Sequence, residues 1–515
     1  MSSRVGSYSV FVSAIFLLMP ISTGQTYKMT HLKSLGNGGL TLERSINSSG
    51  QVVGVFSISD HHRHAFLWTR DNGMQDLGTI NGGSEATAIN DSGQVTGWFG
   101  TPGSPHVFLW TKAGMQDLGF TGVPAAINGD GQIVGYYTSG ADTRAFLWSP
   151  TAGFYDLGTL GGCCSWAVGI NASGQVAGWS FIPSGDQHPF LWTPESGMQD
   201  MSFSGESVAI NDVSQVTGYY DDGTIDRAFL WTADTGLRDL GTLGGPNSFA
   251  QSINNNGQVV GLSDTTMGVS HAFLWSESSG MQDLSDLTAA QVLEFTEAGT
   301  SRINSAGQIA SNAELLNGHE AAVLFTPNIS VSVTSEPNPC YVGQQFTITA
   351  SASSIQGAAP DGENINLYQG QNLLASVPMD GGIASFSASS PKSGTLRIHA
   401  IYPGDLNYYS SESGVLVQVV DKWPTSITID SSPNPSDYGQ VVTFTATVSF
   451  SGPIPTGRVR FLDGTTAIGQ RSLVGGAATL TISKLTSGTH LITAIYLGDA
   501  ASAESTSSVL TQIVR

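Results

Sequence analysis

The tripeptide Phe-Leu-Trp recurs six times in this chain, and its spacing limits the folds that the sequence can adopt. The copies end at residues Trp68, Trp110, Trp148, Trp192, Trp231 and Trp275, at intervals of 38 to 44 residues. A period of about 40 residues made of several short apolar runs is typical of arrays in which each unit is one small sheet that must stack on its neighbours to bury its faces. We therefore predict an array of β-sheets.

A second marker, Ile-Asn-x-x-Gly-Gln, raises the number of units to seven. Its asparagines are Asn47, Asn90, Asn128, Asn171, Asn211, Asn254 and Asn304. Each is followed four residues later by a glutamine, at Gln51, Gln94, Gln132, Gln175, Gln215, Gln258 and Gln308. The seventh unit has Val323-Leu324-Phe325 in place of Phe-Leu-Trp, as expected of a degenerate terminal repeat. In the fifth unit Ser214 replaces the turn glycine, so we expect that turn to be the most strained.

Each unit predicts a meander of four strands. In the second unit, strand-length runs cover 86–90, 94–99, 106–111 and 115–119, separated by turn residues. A glycine recurs inside the second strand, where a missing side chain lets another backbone or a large ring come close. These glycines are Gly54, Gly97, Gly135, Gly178, Gly218 and Gly261.

The two ends of the array predict a closed ring. Residues 30–36 match the fourth strand of a unit, which is 74–78 in the first unit, whereas the array finishes near Thr326 with a third strand. An N-terminal strand that completes the last sheet would explain both ends and remove the exposed edges. We predict an all-β chain with a seven-bladed β-propeller over 26–327.

The repeated motifs resemble a known family. His64-Ala65-Phe66 and His271-Ala272-Phe273, with variants that begin at residues 106, 144, 188 and 227, occur in order with Asp-Leu-Gly and Ile-Asn-x-x-Gly-Gln. Together they resemble the HAF family of extracellular repeats from bacteria. The resemblance implies an exported bacterial protein and brings no catalytic residues.

The last third of the chain carries a different repeat. Pro337-Asn338-Pro339 recurs at residues 433–435, and the Ile-Tyr-x-Gly-Asp segment at 401–405 recurs at 495–499. The size and the alternating pattern predict two immunoglobulin-like β-sandwiches, at 328–420 and 424–515, without an internal disulfide. Both resemble the bacterial Ig-like repeat, and the short linker between them predicts a semi-rigid stalk.

The N-terminus and the overall charge predict a secreted protein. Arg4, an apolar stretch over 10–19 and small residues before Gln25 have the layout of a signal peptide over 1–24, and the stretch is too short to span a bilayer. We expect the mature protein to be extracellular or loosely associated with the cell surface, without a membrane span. With 19 Lys and Arg against 40 Asp and Glu, the net charge of −21 excludes nucleic acid as a partner.

The sequence contains no motif that indicates catalysis. Six carboxylates recur at the same place in successive units, which predicts a structural role in turn or neighbouring-strand hydrogen bonds. They are Asp76, Asp117, Asp156, Asp200, Asp239 and Asp283. His61, His62 and His64 form the densest group of metal-ligand types, but His64 holds a repeated position, and we predict no metal and no cofactor. For adjacent Cys163 and Cys164, a vicinal disulfide and free thiols both stay open.

Binding is expected where the units differ. The connections from the second to the third strand vary in length and sequence, and function concentrates on variable loops of a rigid scaffold. The candidate residues on this face are His61, His62, Asp142, Trp166, Asp186, Asp221 and Asp222. Trp166 is open to two interpretations: it stacks on a sugar ring, or it is buried in an inner strand.

We therefore predict a secreted, non-catalytic binding or adhesion protein that carries its propeller on an Ig-like stalk and binds an extracellular glycan or protein. A secreted hydrolase or lyase acting on polysaccharide, with loop residues such as Asp142 and Asp186 as acid and base, is one alternative. A structural protein of the cell envelope is another.

Overall fold

The computed structural model describes residues 26–32, 35, 41–59, 62–101, 103–288, 292–295, 301–315, 320–355, 357–359 and 362–515. The predicted signal peptide lies outside these residues, as does His61. The chain divides into two compact units, one ending at Pro327 and one running from Asn328 to Arg515. Both are built from strands, and the described residues contain a single short helix.

The N-terminal unit consists of seven antiparallel sheets, and six of them contain four consecutive strands in chain order. The chain enters through β1 (Tyr27–His31). Sheet 1 contains β2 (Thr41–Ile46), β3 (Val52–Ser59), β4 (His62–Thr69) and β5 (Gly73–Gly78). Sheet 2 contains β6 (Gly83–Ile89), β7 (Val95–Thr101), β8 (Ser104–Thr111) and β9 (Gly114–Thr121). Sheet 3 contains β10 (Val123–Ile127), β11 (Ile133–Ser139), β12 (Asp142–Ser149) and β13 (Gly153–Gly158).

Sheets 4 to 7 complete this unit. Sheet 4 contains β14 (Ser165–Ile170), β15 (Val176–Phe181), β16 (Gln187–Thr193) and β17 (Gly197–Asp200). Sheet 5 contains β18 (Gly205–Ile210), β19 (Val216–Asp221), β20 (Asp226–Thr232) and β21 (Gly236–Asp239). Sheet 6 contains β22 (Gly244–Ile253), β23 (Val259–Thr265), β24 (Ser270–Ser276) and β25 (Gly280–Asp283), followed by α1 (Leu284–Leu287). Sheet 7 contains β26 (Val292–Phe295), β27 (Arg302–Ile303), β28 (Ile309–Leu315) and β29 (Glu320–Pro327), and β1 joins it.

Strand β1, at the start of the N-terminal unit, pairs with β29, at its end. The register of this pairing differs from the one that the sequence predicted. Met29 lies opposite Phe325 just as Met74 lies opposite Trp68. The residue equivalent to Leu77 is therefore Leu32, which is 1% exposed, and not Leu35, which is 52% exposed. The predicted alignment of 30–36 with the fourth strand was therefore wrong by three residues. The Leu-Gly pair at residues 35 and 36 has the same sequence as the end of the repeated Asp-Leu-Gly motif.

The apolar residues of the third strands form the contacts between neighbouring sheets. The phenylalanine of each Phe-Leu-Trp copy is fully buried, and Phe325 takes the tryptophan position in sheet 7. The glycine of the second strand lies opposite this phenylalanine. A Cβ atom on Gly178 would lie 2.1 Å from the Trp166 carbonyl oxygen and 2.5 Å from the Phe190 ring, so the predicted close approach is confirmed.

Ser214 adopts the conformation that the turn requires. Its φ angle is +62°, in the left-handed region where the other units have glycine. Its hydroxyl donates a hydrogen bond of 2.6 Å to Gln175 Oε1 of the preceding unit. The predicted strain is therefore present and is partly offset by a contact that glycine cannot make.

The C-terminal unit contains two domains with the same two-sheet plan. In the first, β30 (Ser330–Glu336), β32 (Gln345–Ser354), β33 (Gly357–Ala358) and β36 (Ile383–Ser389) form one sheet. Its other sheet contains β31 (Cys340–Tyr341), β34 (Asn364–Gln369), β35 (Asn372–Pro378), β37 (Gly394–Tyr402), β38 (Ser411–Glu412) and β39 (Leu416–Asp421). In the second domain the sheets are β40 (Thr425–Ser432), β41 (Val442–Phe450) and β44 (Ala477–Ile482), facing β42 (Arg458–Asp463), β43 (Thr466–Ser472), β45 (Gly488–Tyr496), β46 (Ser505–Thr506) and β47 (Leu510–Val514).

The linker between these two domains is held by Trp423. Its indole Nε1 donates a hydrogen bond of 2.9 Å to the Val342 carbonyl, and its ring stacks on Tyr341 with centroids 4.5 Å apart. Its backbone N–H donates to the Ala501 carbonyl of the second domain at 2.8 Å. Trp423 thus contacts the first domain through its side chain and the second through its backbone.

Candidate functional site

The seven marker asparagines form an uninterrupted series of hydrogen bonds from sheet to sheet. Each Nδ2 donates to the backbone carbonyl of the next marker asparagine, at distances of 2.9 to 3.3 Å. The last member returns to the first, because Asn304 Nδ2 donates to the Asn47 carbonyl at 2.9 Å, 257 residues away in sequence. All seven residues are buried, with exposures of 2 to 5%. We call this set the asparagine ring.

Each asparagine also fixes its own turn. Asn128 Nδ2 also donates a hydrogen bond of 2.7 Å to Gln132 Oε1. Asn128 Oδ1 accepts hydrogen bonds from the backbone N–H groups of Asp130 and Gln132. The side chain therefore uses its full capacity for hydrogen bonds. The Ile-Asn-x-x-Gly-Gln motif is thus a structural signature that links one sheet to the next.

One strand from each of the seven sheets lines two adjoining cavities, and these inner strands are β2, β6, β10, β14, β18, β22 and β27. One cavity has a volume of 280 Å³ and is lined by six members of the asparagine ring and by the isoleucine that precedes each of the seven asparagines. The other has a volume of 200 Å³ and lies further along the same strands, where Arg44, Gln251 and Arg302 contribute polar groups. Burial lowers the pKa of Arg302, although nearby Glu43 acts in the opposite direction. Both cavities belong to the inner strands rather than to the variable loops.

The six repeated carboxylates are used by the scaffold, as predicted. In each, one oxygen accepts the backbone N–H two residues later, for example from Gly78 to Asp76 at 2.7 Å. Each also pairs with the histidine or arginine that begins the third-strand motif, as in His64 with Asp76 at 3.0 Å. This pairing explains why His64 recurs as histidine or arginine in other units.

The predicted binding residues that the structure describes belong to several sheets. Asp142, Asp186, Asp221 and Asp222 are exposed and belong to sheets 3, 4 and 5. His62 is the first residue of β4, in sheet 1.

Asp221 and Asp222 are engaged by their own turn. Asp221 Oδ1 accepts the backbone N–H of Gly223 at 2.7 Å. Asp222 Oδ1 accepts the Thr224 hydroxyl at 2.7 Å and two backbone N–H groups, and these hydrogen bonds lower its pKa. These two carboxylates therefore stabilise the loop that carries them.

Trp166 lies in an aromatic group that the sequence had not defined. It is half-buried on β14, directly opposite Trp179 on β15, and the two indoles stack with centroids 3.8 Å apart. Tyr136 of sheet 3 lies 6.4 Å from Trp166, and Phe181 contacts both indoles edge-on. Of the two interpretations of Trp166, the structure favours a partly exposed aromatic surface over a fully buried core residue.

The equivalent position differs among the six sheets that contain the recurrent glycine. Each pair consists of the residue that follows the recurrent glycine on the second strand and the residue opposite it on the first strand. We call these residues the rim pairs. They are Leu42 and Val55, Glu85 and Trp98, Val123 and Tyr136, Trp166 and Trp179, Glu206 and Tyr219, and Phe249 and Leu262. Because the scaffold positions repeat and the rim pairs do not, the rim pairs are the best candidates for selective contacts.

Neighbouring rim pairs contact one another, and two of their ionisable groups have raised pKa values. Tyr219 lies 5.2 Å from Phe249 of the next sheet. Burial raises the pKa of Glu206, and the charge of Asp226 adds to this, while a hydrogen bond with Tyr219 opposes it. Burial and the Glu206 charge raise the pKa of Tyr219. A half-buried carboxyl group next to a phenol and aromatic rings is a typical composition of ligand sites.

Trp179, Glu206 and Tyr219 were not predicted as site residues. A signal was present, since the residue after the second-strand glycine is aromatic in four units, at Trp98, Tyr136, Trp179 and Tyr219. Trp98, Trp166 and Trp179 are also the tryptophans of this unit that fall outside the Phe-Leu-Trp period. The first-strand partners vary in residue type, with glutamate in two of the six pairs, so the strand register is needed to identify them.

Cys163 and Cys164 are both free thiols in the loop before β14, and their mutual hydrogen bond raises the pKa of Cys163.

Among the residues that the structure describes, no three His, Cys, Asp or Glu side chains are placed to share a metal ion. Within the same residues, no helix has the length and hydrophobicity needed to cross a membrane.

Two segments of the chain, 333–420 and 428–515, match the family described as bacterial Ig-like domain (group 3). The chain therefore carries two bacterial Ig-like domains. A search of curated proteins finds no match. The family match does not extend to the N-terminal unit.

Several solved structures are similar over part or most of the chain. An extracellular domain assigned to a one-component system of B. thetaiotaomicron is 9% identical, with a TM-score of 0.36 over 95% of this chain and 99% of its own. TolB from Acinetobacter baumannii is 12% identical, with a TM-score of 0.35 over 45% of this chain and 63% of its own. The Yersinia pseudotuberculosis adhesin InvE is 10% identical, with a TM-score of 0.23 over 36% and 60%.

Proposed function

We propose that the N-terminal unit is a closed seven-bladed β-propeller over 26–327. The asparagine ring supports this arrangement, because its seven hydrogen bonds return to their starting residue. The pairing of β1 with β29 supports it as well, since the first and last strands then share one sheet. Two cavities lined by one strand from each of the seven sheets fit the axis of such a ring.

We further propose that the protein is a secreted, non-catalytic binding or adhesion protein. The observation that carries this proposal is the contrast within the N-terminal unit, where a repeated scaffold holds loops and six rim pairs that differ from sheet to sheet. Selective binding by variable positions on a rigid framework is the general use of such an arrangement. The two bacterial Ig-like domains, together with the signal peptide predicted over 1–24, support a location outside the cell or at its surface.

The tandem Ig-like domains act as a stalk in this proposal. The contacts of Trp423 with both domains restrict bending at the linker, so the pair is suited to act as a spacer.

The proposed binding face comprises the rim pairs together with His61, His62, Asp142, Trp166, Asp186, Asp221 and Asp222.

A binding screen of the full secreted chain tests this function. The probes are purified extracellular glycans and purified proteins of the cell envelope, with surface plasmon resonance as the readout. We expect saturable binding that weakens when Trp166 is replaced by alanine and is unchanged in a Lys112→Ala variant, since Lys112 is exposed in the short turn between β8 and β9. Absence of saturable binding to every probe at millimolar concentration would contradict the proposal.

A further inference from the structure

We infer that the rim pairs of sheets 3 to 5 bind a glycan without anionic groups. This inference rests on the proposed binding function and adds to it a site and a chemical class of ligand. The site comprises Tyr136, Trp166, Trp179, Glu206 and Tyr219, and we call it the aromatic rim.

The aromatic rim is a composite of three adjacent sheets. Tyr136 comes from β11, the two stacked indoles from β14 and β15, and Glu206 and Tyr219 from β18 and β19. All five side chains are partly exposed, and the contact between Tyr136 and Trp166 joins sheets 3 and 4. Their backbones lie within regular strands, where ladder hydrogen bonds fix each side chain's position. The site is therefore built before a ligand arrives.

The composition of the aromatic rim matches a sugar ring. A pyranose has one apolar face of C–H groups, which packs on an aromatic ring, and a polar edge of hydroxyl groups, which needs donors and acceptors. The indole pair supplies the aromatic surface. Glu206 and Tyr219, which lie opposite each other on β18 and β19, supply a carboxyl group and a hydroxyl group on the adjacent sheet.

The charges near the aromatic rim disfavour an anionic ligand. Burial and then the Asp226 charge raise the pKa of Glu206. Burial and then the charges of Asp221 and Asp222 raise the pKa of Asp226. The whole chain carries a net charge of −21. A uronate or sulfate group would be repelled at this site, whereas hydroxyl and acetamido groups would not.

The experiment measures the affinity of the full chain for oligosaccharides of four to six neutral hexose or N-acetylhexosamine units, and for oligosaccharides of equal length that carry uronate or sulfate. We expect saturable binding to a neutral oligosaccharide and at least about tenfold weaker binding to the charged ones. Replacing Trp179 with alanine should weaken binding about thirtyfold, as for other aromatic anchors. Glu206→Gln should weaken it without changing the melting temperature.

Two controls keep the result interpretable. The Trp179→Phe variant retains an aromatic ring in the strand and should lose less affinity than Trp179→Ala, while thermal melting shows whether each variant is folded. The Lys112→Ala variant lies outside the proposed binding face and should bind as the parent protein does. The loop variants Asp186→Asn and Asp222→Asn should lose less affinity than Trp179→Ala.

The outcomes separate the two proposals. Glycan binding that survives Trp166→Ala and Trp179→Ala in folded protein, or that is lost only in the loop variants, would overturn the aromatic rim and leave the binding function standing. A preference for the uronate or sulfate series, or binding to envelope proteins alone, would do the same. Failure to bind any glycan or envelope protein would overturn the binding function itself.

Discussion

Replacing one member of the asparagine ring should destabilise the N-terminal unit far more than a surface substitution. Asn128 makes four hydrogen bonds with its side chain, two as donor and two as acceptor, and it is 5% exposed. A buried hydrogen bond contributes about 1 kcal/mol net, so Asn128→Ala should lower the free energy of unfolding by about 3 to 4 kcal/mol. With a urea m-value of about 3 kcal/mol/M, the midpoint should fall by about 1 M.

Urea unfolding followed by tryptophan fluorescence measures this effect, because nine of the ten tryptophans precede residue 328. Asn72→Ala is the matched control, since Asn72 is exposed in the turn between β4 and β5. Its midpoint should not change. Asn128→Asp keeps the two acceptor contacts, loses both donors and buries a carboxylate, so its destabilisation should grow from pH 4 to pH 7. Equal midpoints for Asn128→Ala and Asn72→Ala would refute the stabilising role of the asparagine ring.

Three further predictions concern single positions. Gly178→Ala should cost about 3 kcal/mol or prevent folding, because its Cβ atom would clash with backbone, whereas Gly129→Ala, which meets no atom within 4 Å, should be neutral in the same urea assay. Ser214→Ala should cost about 1 kcal/mol, since it loses a hydrogen bond and keeps the left-handed backbone; a melting temperature equal to the parent's would show that this bond is unimportant. Although burial lowers the pKa of His490, its contacts with the Thr486 carbonyl and Asp463 raise it overall. Its contribution to stability is therefore full below pH 6.5 and lost as the pH rises through the folded pKa, and His490→Gln should flatten this dependence in thermal melts from pH 5 to 9.

The repeat period and the hairpin motifs allowed much of the N-terminal unit to be predicted, because they are local patterns. Four strands per unit, the close approach at Gly178 and the role of Phe325 all follow from residues a few positions apart. The register of β1 was wrong because Leu35 repeats a local motif, and only its partner β29 shows that Leu32 is the buried residue.

The candidate site was less accessible to prediction, for a physical reason. Trp166 was recognised as an irregular tryptophan, but its contacts with Trp179 and Tyr136 depend on cross-strand register and on the stacking of sheets. Glu206 has a counterpart of the same residue type only in Glu85, and it is identified by its position opposite Tyr219. The asparagine ring could not be predicted from the sequence for the same reason. The Ile-Asn-x-x-Gly-Gln motif predicted a turn, whereas the hydrogen bond from Asn128 to the next sheet is found only when the positions of both sheets are known.

A cysteine cross-link between the first and last strands tests the closed ring most directly. Lys28 lies opposite Thr326 in the pairing of β1 with β29, and Thr232 holds the position equivalent to Thr326 in sheet 5. Paired residues of adjacent strands are close enough for a disulfide. After mild oxidation of the folded protein, mass spectrometry should find a disulfide in the Lys28→Cys/Thr326→Cys variant and none between the new cysteines of Lys28→Cys/Thr232→Cys. No cross-link in the first variant, or equal cross-linking in both, would contradict the closed seven-bladed arrangement.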